Sequence, residues 1–238
     1  MRKCARCGKS FDITAPLAAG SGGGRCTYHW GRTVVTKNSG DTLRVFSCCQ
    51  GEMGKLGCTE SVHVFREERV EYLHAVEAFV ETPTSGLVRS PGKRALEIVA
   101  LDCEMCYTSL GMEVCRVTVI DQWKRKIIDE LVKPKGIVRD LNTRYSGIKS
   151  LEGAKKSLAD IRSALCEVID DQTILVGHGL ENDLKALRLV HYLIVDTSEL
   201  FRKHEADRKP SLKKLADSIL ARSIQQGGSE GHDSLEDA

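Results

Sequence analysis

The uneven placement of cysteine divides this chain into two parts with different folding requirements. Six of the ten cysteines lie within the first 58 residues, among glycines and polar residues that show no sustained helical or strand periodicity. A segment of this length without a hydrophobic core needs a crosslink to hold one structure. The chain also begins without the apolar stretch of a signal peptide, which favours a reducing compartment and metal ligation over disulfides. We therefore predict a small, irregular, metal-stabilised module at residues 1–65.

The module contains six thiols and two imidazoles at spacings typical of zinc ligands. Two tetrahedral zinc ions would use all eight groups and leave no position for water, so both sites would be structural. Cys48 and Cys49 are adjacent and need not both bind metal, and His63 has an alternative as a surface residue. The spacing does not decide which ligands share an ion. The predicted ligands are Cys4, Cys7, Cys26, His29, Cys48, Cys49, Cys58 and His63.

A helix and a linker separate this module from a different pattern. Apolar residues recur at helical spacing within residues 66–80 and predict a helix. Residues 81–94 are rich in turn-forming residues and predict a linker, and the glycine run at 20–24 predicts a flexible loop within the module. The chain is thus expected to consist of a module, a joint and a longer domain.

The longer domain, residues 95–238, has the periodicity of strands and amphipathic helices. Its first predicted strand is apolar enough to be buried on both faces, and two further strands follow it directly. Helix and strand then alternate, which predicts an α/β fold with a mixed sheet and helices on both faces. The predicted strands lie at 96–105, 113–122, 125–134, 173–179 and 193–197, and the predicted helices at 157–170, 181–190 and 210–223.

Two acidic residues interrupt the first of these strands, in the segment ALDCEMC. Asp102 and Glu104 are two positions apart, so both side chains project from the same face of the strand. Neighbouring carboxylates repel each other, and burying them without compensation would cost several kcal/mol. Divalent Mg²⁺ or Mn²⁺ would remove that conflict, and two such ions clamp the attacking and leaving oxygens in a phosphate displacement.

Three further candidate residues lie near the ends of predicted elements. Asp183 follows a strand in GHGLENDLKAL, where α/β sheets usually place active residues, although an aspartate in a first helical turn also simply complements the helix dipole. His232 and Asp237 lie five positions apart in GHDSLEDA. Within one helix they would point about 140° apart, so convergence requires His232 on a loop and Asp237 in the helix that follows.

Together these segments resemble the three motifs of the DEDDh 3′–5′ exonucleases, and most closely those of the Rex-type RNA exonucleases. ALDCEMCYT is similar to the first motif, GHGLENDLKAL to the second and GHDSLEDA to the third. The strings TRYSGI (143–148) and VDTSELF (195–201) also look like that family. The resemblance extends from about residue 96 to the end of the chain.

This resemblance implies an RNase H-like fold and hydrolysis of RNA from a free 3′ end, with release of nucleoside 5′-monophosphates. It implies that the four aspartates and glutamates named above hold two Mg²⁺ or Mn²⁺ ions and that His232 is the general base. A usual histidine pKa of about 6.5 suits that role. The resemblance also implies that Met105 and Leu180 pack around the terminal nucleotide, with a core role as the alternative for each.

The first module resembles the cysteine- and histidine-rich CHORD zinc module, in which a CxYHxG segment, a CC pair and a later GC…H recur. Its first pair departs from that pattern, because a CxxC at residues 4–7 replaces a wider spacing. The resemblance implies that a similar module precedes the exonuclease domain in some Rex-type proteins.

The third motif departs from the family in one respect. The chain ends one residue after Asp237, whereas the family normally continues through a helix that packs against the sheet. A helical stub of this length is unstable by itself because helix nucleation is costly. We expect this last metal ligand to fray and the missing helix to compromise activity.

The four remaining cysteines are expected to lie in the core. Cys103 and Cys106 also form a CxxC, but they flank Glu104 on or just beyond a buried strand and have no second ligand pair nearby. Cys115 and Cys166 are likewise expected to be buried.

Charge and resemblance together predict the partners. Residues 1–65 contain nine Lys and Arg against four Asp and Glu, which favours an anionic partner, with a solvated basic surface as the alternative. No apolar run approaches the ~20 residues that span a bilayer. We expect an intracellular RNA exonuclease, nuclear by resemblance alone, whose module helps to dock RNA or a protein partner. The rivals are a zinc protein that binds nucleic acid or protein with weak or no cutting activity, and a DNA exonuclease.

Overall fold

The chain forms two compact units, Met1–Arg66 and Glu67–Ala238. The computed structural model describes residues 1–14, 25–38, 41–87, 90–92, 94–202, 209–226 and 231–238. The glycine run at 20–24, predicted as a flexible loop, lies outside the described residues. No helix within these ranges is long and apolar enough to cross a membrane.

The first unit is built from short antiparallel strand pairs. The strands are β1 (Arg2–Lys3), β2 (Ser10–Phe11), β3 (Cys26–Tyr28), β4 (Thr33–Asn38), β5 (Asp41–Phe46) and β6 (Thr59–Ser61). β1 pairs with β2, β3 with β6, and β4 with β5. Cys4 and Cys26 join Phe11 and Phe65 in a small buried cluster. Cysteine therefore forms part of what little core this unit has.

The second unit contains the predicted mixed sheet. Its strands are β7 (Val80–Glu81), β8 (Ile98–Thr108), β9 (Gly111–Asp121), β10 (Lys126–Leu131), β11 (Val138–Asp140), β12 (Ile174–Gly177), β13 (Leu189–Val190) and β14 (Ile194–Asp196). The sheet order is β10-β9-β8-β12-β14, with β11 paired to β8. β8, β9 and β10 are antiparallel, whereas β12 is parallel to both β8 and β14. β7 and β13 form a separate parallel pair, so a short strand lies across the boundary between the predicted helix at 66–80 and the predicted linker at 81–94.

Longer helices of seven to nine residues and shorter helices of four residues accompany this sheet. They are α1 (Val70–Val76), α2 (Thr143–Ser146), α3 (Leu158–Cys166), α4 (Leu180–Leu187), α5 (Thr197–Leu200), α6 (Leu212–Leu220) and α7 (Ser234–Asp237). α1, α3, α4 and α6 confirm the four predicted helices, except that residues 189–190, predicted as the end of the third, form β13. α3 begins with a capping box, in which Ser157 accepts from the Asp160 N–H and Asp160 accepts from the Ser157 N–H.

The main core lies on one face of the sheet. Leu101 of β8 packs there with Ile161 and Leu165 of α3 and Leu187 of α4, all of them fully buried. Each such side chain contributes about 1.5–3 kcal/mol to folding. Because successive side chains of a strand alternate, the even-numbered residues of β8 project from the other face, where α7 packs against β8 and β9. α6 and α7 line a cavity of about 610 Å³ on that face, so helices cover both faces as predicted.

Candidate active site and metal centres

Asp102 and Glu104 project from the same face of β8, as their spacing predicts. In the ladder with β9, Asp102 lies opposite Thr118 and Glu104 lies opposite Arg116. Glu104 is buried, and the register of the ladder shifts between Glu104 and Met105. β8 therefore delivers two carboxylates to one face just before its regular pairing breaks.

Asp183 reaches the same strand from α4. It lies in the first turn of that helix, is only 5% exposed, and its Oδ1 accepts a hydrogen bond from the Cys103 N–H at 3.1 Å. Cys103 stands between the two acids of β8. An aspartate that merely complemented the helix dipole would not need this bond, which brings the third carboxylate to the acidic pair.

His232 and Asp237 lie close together at residues 231–238. His232 lies on the loop before α7 and Asp237 lies within α7, the arrangement that convergence requires. Nδ1 of His232 is 3.6 Å from Oδ2 of Asp237, and the two side chains are 40% and 5% exposed. Water can therefore reach the imidazole while the carboxylate stays inside.

The loop that carries His232 rests on α2. The His232 N–H donates to the Tyr145 carbonyl at 3.0 Å. Gly231 adopts a φ of +88°, and a Cβ at this position would lie 2.2 Å from the Thr143 carbonyl oxygen. Only glycine fits both the conformation and the space. The TRYSGI segment, which the sequence marked by resemblance alone, is thus the support of this loop.

Polar contacts hold α7 on the sheet. Arg116 of β9 donates from Nη1 to Oδ1 of Asp233 at 2.8 Å. The buried hydroxyls of Thr118 and Ser234 lie 2.7 Å apart. These contacts, which the expectation of a fraying terminus did not include, keep α7 and its Asp237 against β8 and β9.

The four carboxylates interact through their charges. Burial and, after it, the charges of the other three acids raise the pKa of Asp102 to about 9. Burial is also the first cause of the raised pKa values of Glu104, to about 8, and of Asp183, to about 7. The pKa of Asp237 is raised chiefly by burial as well. The four carboxyl groups therefore form one electrostatically coupled cluster.

This cluster of four carboxylates is suited to binding divalent cations. Among the described residues, Oε1 of Glu104 and Oδ1 of Asp237 are buried oxygens without a hydrogen-bond partner. Buried acceptors normally have a partner, and hard cations such as Mg²⁺ bind carboxylate oxygens. The acidic oxygens are spread more widely than those of a closed site. In the part of the chain that the structure describes, groups of three or more whose ligand atoms all lie within 4.8 Å are formed by cysteine and histidine alone.

The two candidate nucleotide contacts belong to the main apolar core. Leu180 is fully buried in the main core, and Met105, which is partly buried, packs against the same core. Their predicted contact with the terminal nucleotide stays a prediction.

Sequence reasoning missed the residues that support the site. It gave no role to Arg116, which anchors α7, or to Asp196, whose carboxylate accepts from the Gly179 and Leu180 N–H groups at the start of α4. A signal for Arg116 existed only in the strand register, which places it opposite Glu104. Asp196 carried a weaker signal as part of VDTSELF.

Cys4, Cys7, Cys26 and His63 form the first centre, with all four ligand atoms within 4.8 Å of one another. Sγ of Cys4 is 3.6 Å from that of Cys26, and Sγ of Cys7 is 3.5 Å from Nδ1 of His63. His63 is buried and stacks on Phe11 with a centroid distance of 5.2 Å. The first centre thus lies in the small core, and His63 is not a surface residue.

His29, Cys48, Cys49 and Cys58 form the second centre, gathered equally closely. Nδ1 of His29 is 3.6 Å from Sγ of Cys48 and 3.4 Å from Sγ of Cys49. Both adjacent cysteines therefore belong to this group. Cys49 and Cys58 are exposed, in contrast to the first centre. The eight predicted ligands divide into two sets of four with none left over.

The other cysteines stand apart from both centres. Cys103, Cys106 and Cys115 are buried in hydrophobic clusters of the second unit, which confirms their predicted place in the core. Cys166, predicted to be buried, is only partly so.

The fold and the site together define a class. A mixed sheet with helices on both faces, whose central strand receives four carboxylates, is the arrangement of an RNase H-like exonuclease domain. The Pan2 catalytic unit (protease and nuclease domain) of Neurospora crassa has this fold, with a TM-score of 0.53 at 19% identity over 90% of this chain and 41% of that chain. A Saccharomyces cerevisiae Pan2 module in complex with A7 RNA gives a TM-score of 0.54 at 25% identity, over 66% of this chain and 29% of that one.

Sequence relatives sharpen this class. Residues 2–62 match the family model described as the RNA exonuclease 3 middle domain. The whole chain aligns with the putative exonuclease GOR of Homo sapiens at 40% identity and with RNA exonuclease 3 of Schizosaccharomyces pombe at 38%. It spans 34% and 42% of the length of those two proteins. The chain is thus similar to Rex-type exonucleases over its whole length, whereas the resemblance of the first module to CHORD stays a prediction.

Proposed function

We propose that this chain is a metal-dependent 3′–5′ exoribonuclease that releases nucleoside 5′-monophosphates from a free RNA 3′ end. The observation that carries the proposal is the convergence of Asp102, Glu104, Asp183 and Asp237 on one face of β8, with His232 beside the last of them. Relatives named RNA exonuclease, and neighbours described in complex with RNA, favour RNA over DNA as the substrate.

The four carboxylates would hold two Mg²⁺ or Mn²⁺ ions. Such ions polarise a phosphoryl oxygen and lower the pKa of bound water. The buried oxygens of Glu104 and Asp237 support this assignment, since each offers a lone pair that no donor in the described part of the chain uses. The raised carboxyl pKa values support it too, because a cation would favour the ionised forms that burial opposes.

His232 would accept the proton of the attacking water. Its Nδ1 faces Asp237, so Nε2 is the atom available to the water. The neighbouring carboxylate would orient the ring and stabilise the imidazolium once the proton has arrived. Partial exposure of the histidine suits a group that must meet both solvent and a nucleic-acid end.

The first and second centres would each hold one structural Zn²⁺. Mixed thiolate and imidazole ligands in sets of four match the preference of zinc, and the first unit has little other core. We also propose that this module at residues 1–65 helps to dock RNA or a protein partner, and that residues 66–94 join it to an exonuclease domain at 95–238. A nuclear location is proposed on resemblance alone.

Release of mononucleotides from a 3′-labelled single-stranded RNA tests the function. With Mg²⁺, the purified chain should release labelled nucleoside 5′-monophosphate, identified by chromatography, and should cut a matched DNA strand more slowly. Asp102→Ala and Asp183→Ala should lower the rate by at least ~10²-fold with unchanged circular dichroism. Asp217→Ala, an exposed position of α6, is the matched control and should retain the rate. Equal activity in the site variants would refute the assignment, RNA binding without cutting would favour the non-catalytic rival, and faster DNA digestion would favour the DNA exonuclease.

A further inference from the structure

The helix that carries Asp183 has no capping side chain of its own. The residue before α4 is Gly179, which adopts a left-handed conformation with φ 73° and ψ 35° and offers no side-chain hydrogen bond. The first turn of any helix leaves backbone N–H groups without an intrahelical partner. Something else must satisfy them where the turn is buried, as it is at Leu180 and Asp183.

Asp196 supplies this cap from the neighbouring strand. β12 and β14 run parallel, and their register places Asp196 opposite Gly177, at the point where the chain turns into α4. Oδ1 of Asp196 accepts from the Gly179 N–H at 2.9 Å, and Oδ2 accepts from the Leu180 N–H at 3.0 Å. The same Oδ1 accepts from the Ser198 N–H at 2.8 Å. One carboxylate thus ties the start of α4 to the end of β14.

The turn between β12 and α4, which this carboxylate holds, is tightly packed. A Cβ at Gly177 would lie 2.5 Å from Cδ2 of Leu180 and 2.9 Å from the carbonyl oxygen of Leu101 on β8. The start of α4 is therefore pressed against the strand that carries the other two acids. Asp183 follows Leu180 by three residues and accepts from the Cys103 N–H of that same strand.

We infer that Asp196 is a positioning residue, which sets the place of the Asp183 carboxylate relative to Asp102 and Glu104 by capping α4 from β14. The inference rests on the proposed function, because the acidic site gives the placement its purpose. A misplacement of about 1 Å in such a site costs about 10²-fold in rate. The Asp196 carboxylate accepts from three backbone N–H groups, and it is not one of the proposed metal ligands.

A capped helix that lies outside the candidate site provides the comparison. Asp160 completes the capping box of α3, a helix that carries none of the candidate site residues. Asp196→Ala and Asp160→Ala should both lower the Tm. Only Asp196→Ala should also lower kcat, by about 10-fold or more, and raise the Mg²⁺ concentration for half-maximal rate, with KM for RNA nearly unchanged. Asp196→Asn retains the shape and one acceptor oxygen, so it should give an intermediate loss of kcat. It serves as the test if the alanine variant folds poorly.

Two readouts separate failure of this inference from failure of the proposed function. The rise in Tm on adding Mg²⁺ is measured beside the rate, and it should be smaller in both Asp196 variants than in wild type and in Asp160→Ala. If Asp196→Asn loses Tm alone, with unchanged kcat, Mg²⁺ requirement and Mg²⁺-induced rise in Tm, the cap is only structural and the inference is overturned. If wild type binds Mg²⁺ but releases no nucleotide, the proposed function falls, while a smaller Mg²⁺-induced rise in Asp196→Asn would still support positioning.

Discussion

Replacing Asp102 by asparagine should stabilise the Mg²⁺-free protein while removing its activity. The unfolded chain loses the Asp102 proton near pH 3.8, but burial and three neighbouring acids raise the pKa in the folded chain to about 9. A raised carboxyl pKa means that stability falls as pH rises from the lower value to the higher. At about 1.4 kcal/mol per pH unit, this cost reaches about 4 kcal/mol at pH 7. Partial exposure screens part of it, so we expect Asp102→Asn to recover about 2 kcal/mol.

Urea unfolding of the zinc-loaded protein without Mg²⁺, at pH 5, 7 and 9, measures this effect. The advantage of Asp102→Asn should be small at pH 5 and largest at pH 9, and adding Mg²⁺ should stabilise wild type more than the variant. Asp121→Asn is the matched control at the end of β9. Burial opposes ionisation of Asp121, but N–H bonds from Arg125 and Trp123 outweigh it and hold its pKa below the usual value, so its loss should destabilise. A variant at Asp102 that is no more stable than wild type at pH 9 would refute the reasoning.

Five further substitutions test other parts of the molecule. His232→Ala should lower kcat by about 10²–10⁴-fold in steady-state kinetics, with little change in KM, because it removes the proton acceptor; an unchanged kcat would exclude it as the base. Gly231→Ala places a Cβ 2.2 Å from a carbonyl of α2, so it should displace the histidine loop and lower both kcat and Tm, and a fully active variant would contradict that account. Arg116→Gln removes the charged anchor of α7 and should raise the Mg²⁺ concentration for half-maximal rate, whereas an unchanged Mg²⁺ titration would show that α7 holds without it. Cys58→Ser should lower the zinc content from two ions per chain to one and leave the first centre loaded. Cys26→Ser should lower the zinc content in the same way and should in addition unfold the small core around Cys26. Metal analysis and circular dichroism check both variants, and a full zinc content in either one would count against the ligand sets.

Long periodic elements made most of the second unit predictable. β8, β9 and β10 have between six and eleven residues, enough for strand patterns to be visible, and the spacing of Asp102 and Glu104 fixes a common face without tertiary information. α2, α5 and α7 have four residues each, which is too short for a helical period to show. Their existence depends on contacts with the rest of the fold.

Supporting contacts were hidden for a different reason. Arg116 and Asp233 are separated by 117 positions, and their ion pair exists only because β9 and α7 meet in space. The same holds for the cap that Asp196 provides, since nothing local marks an aspartate on one strand as the partner of a helix after another strand. The sequence identified the eight cysteine and histidine ligands by type, but their division into two sets required the antiparallel pairing of β3 with β6.

The two ligand sets are nested along the chain, and this ordering couples their assembly. All four residues of the second centre lie between Cys26 and His63, the last two ligands of the first. A metal bound at the second centre crosslinks most of that stretch, so that only a few residues at each end remain in the loop that joins Cys26 to His63. Loop-closure entropy depends on the logarithm of length, so the shortcut lowers the cost of joining Cys26 to His63 by about 1 kcal/mol. Metal loading should therefore be cooperative. The exposed second centre should bind its ion first, and this should favour binding of an ion at the buried first centre.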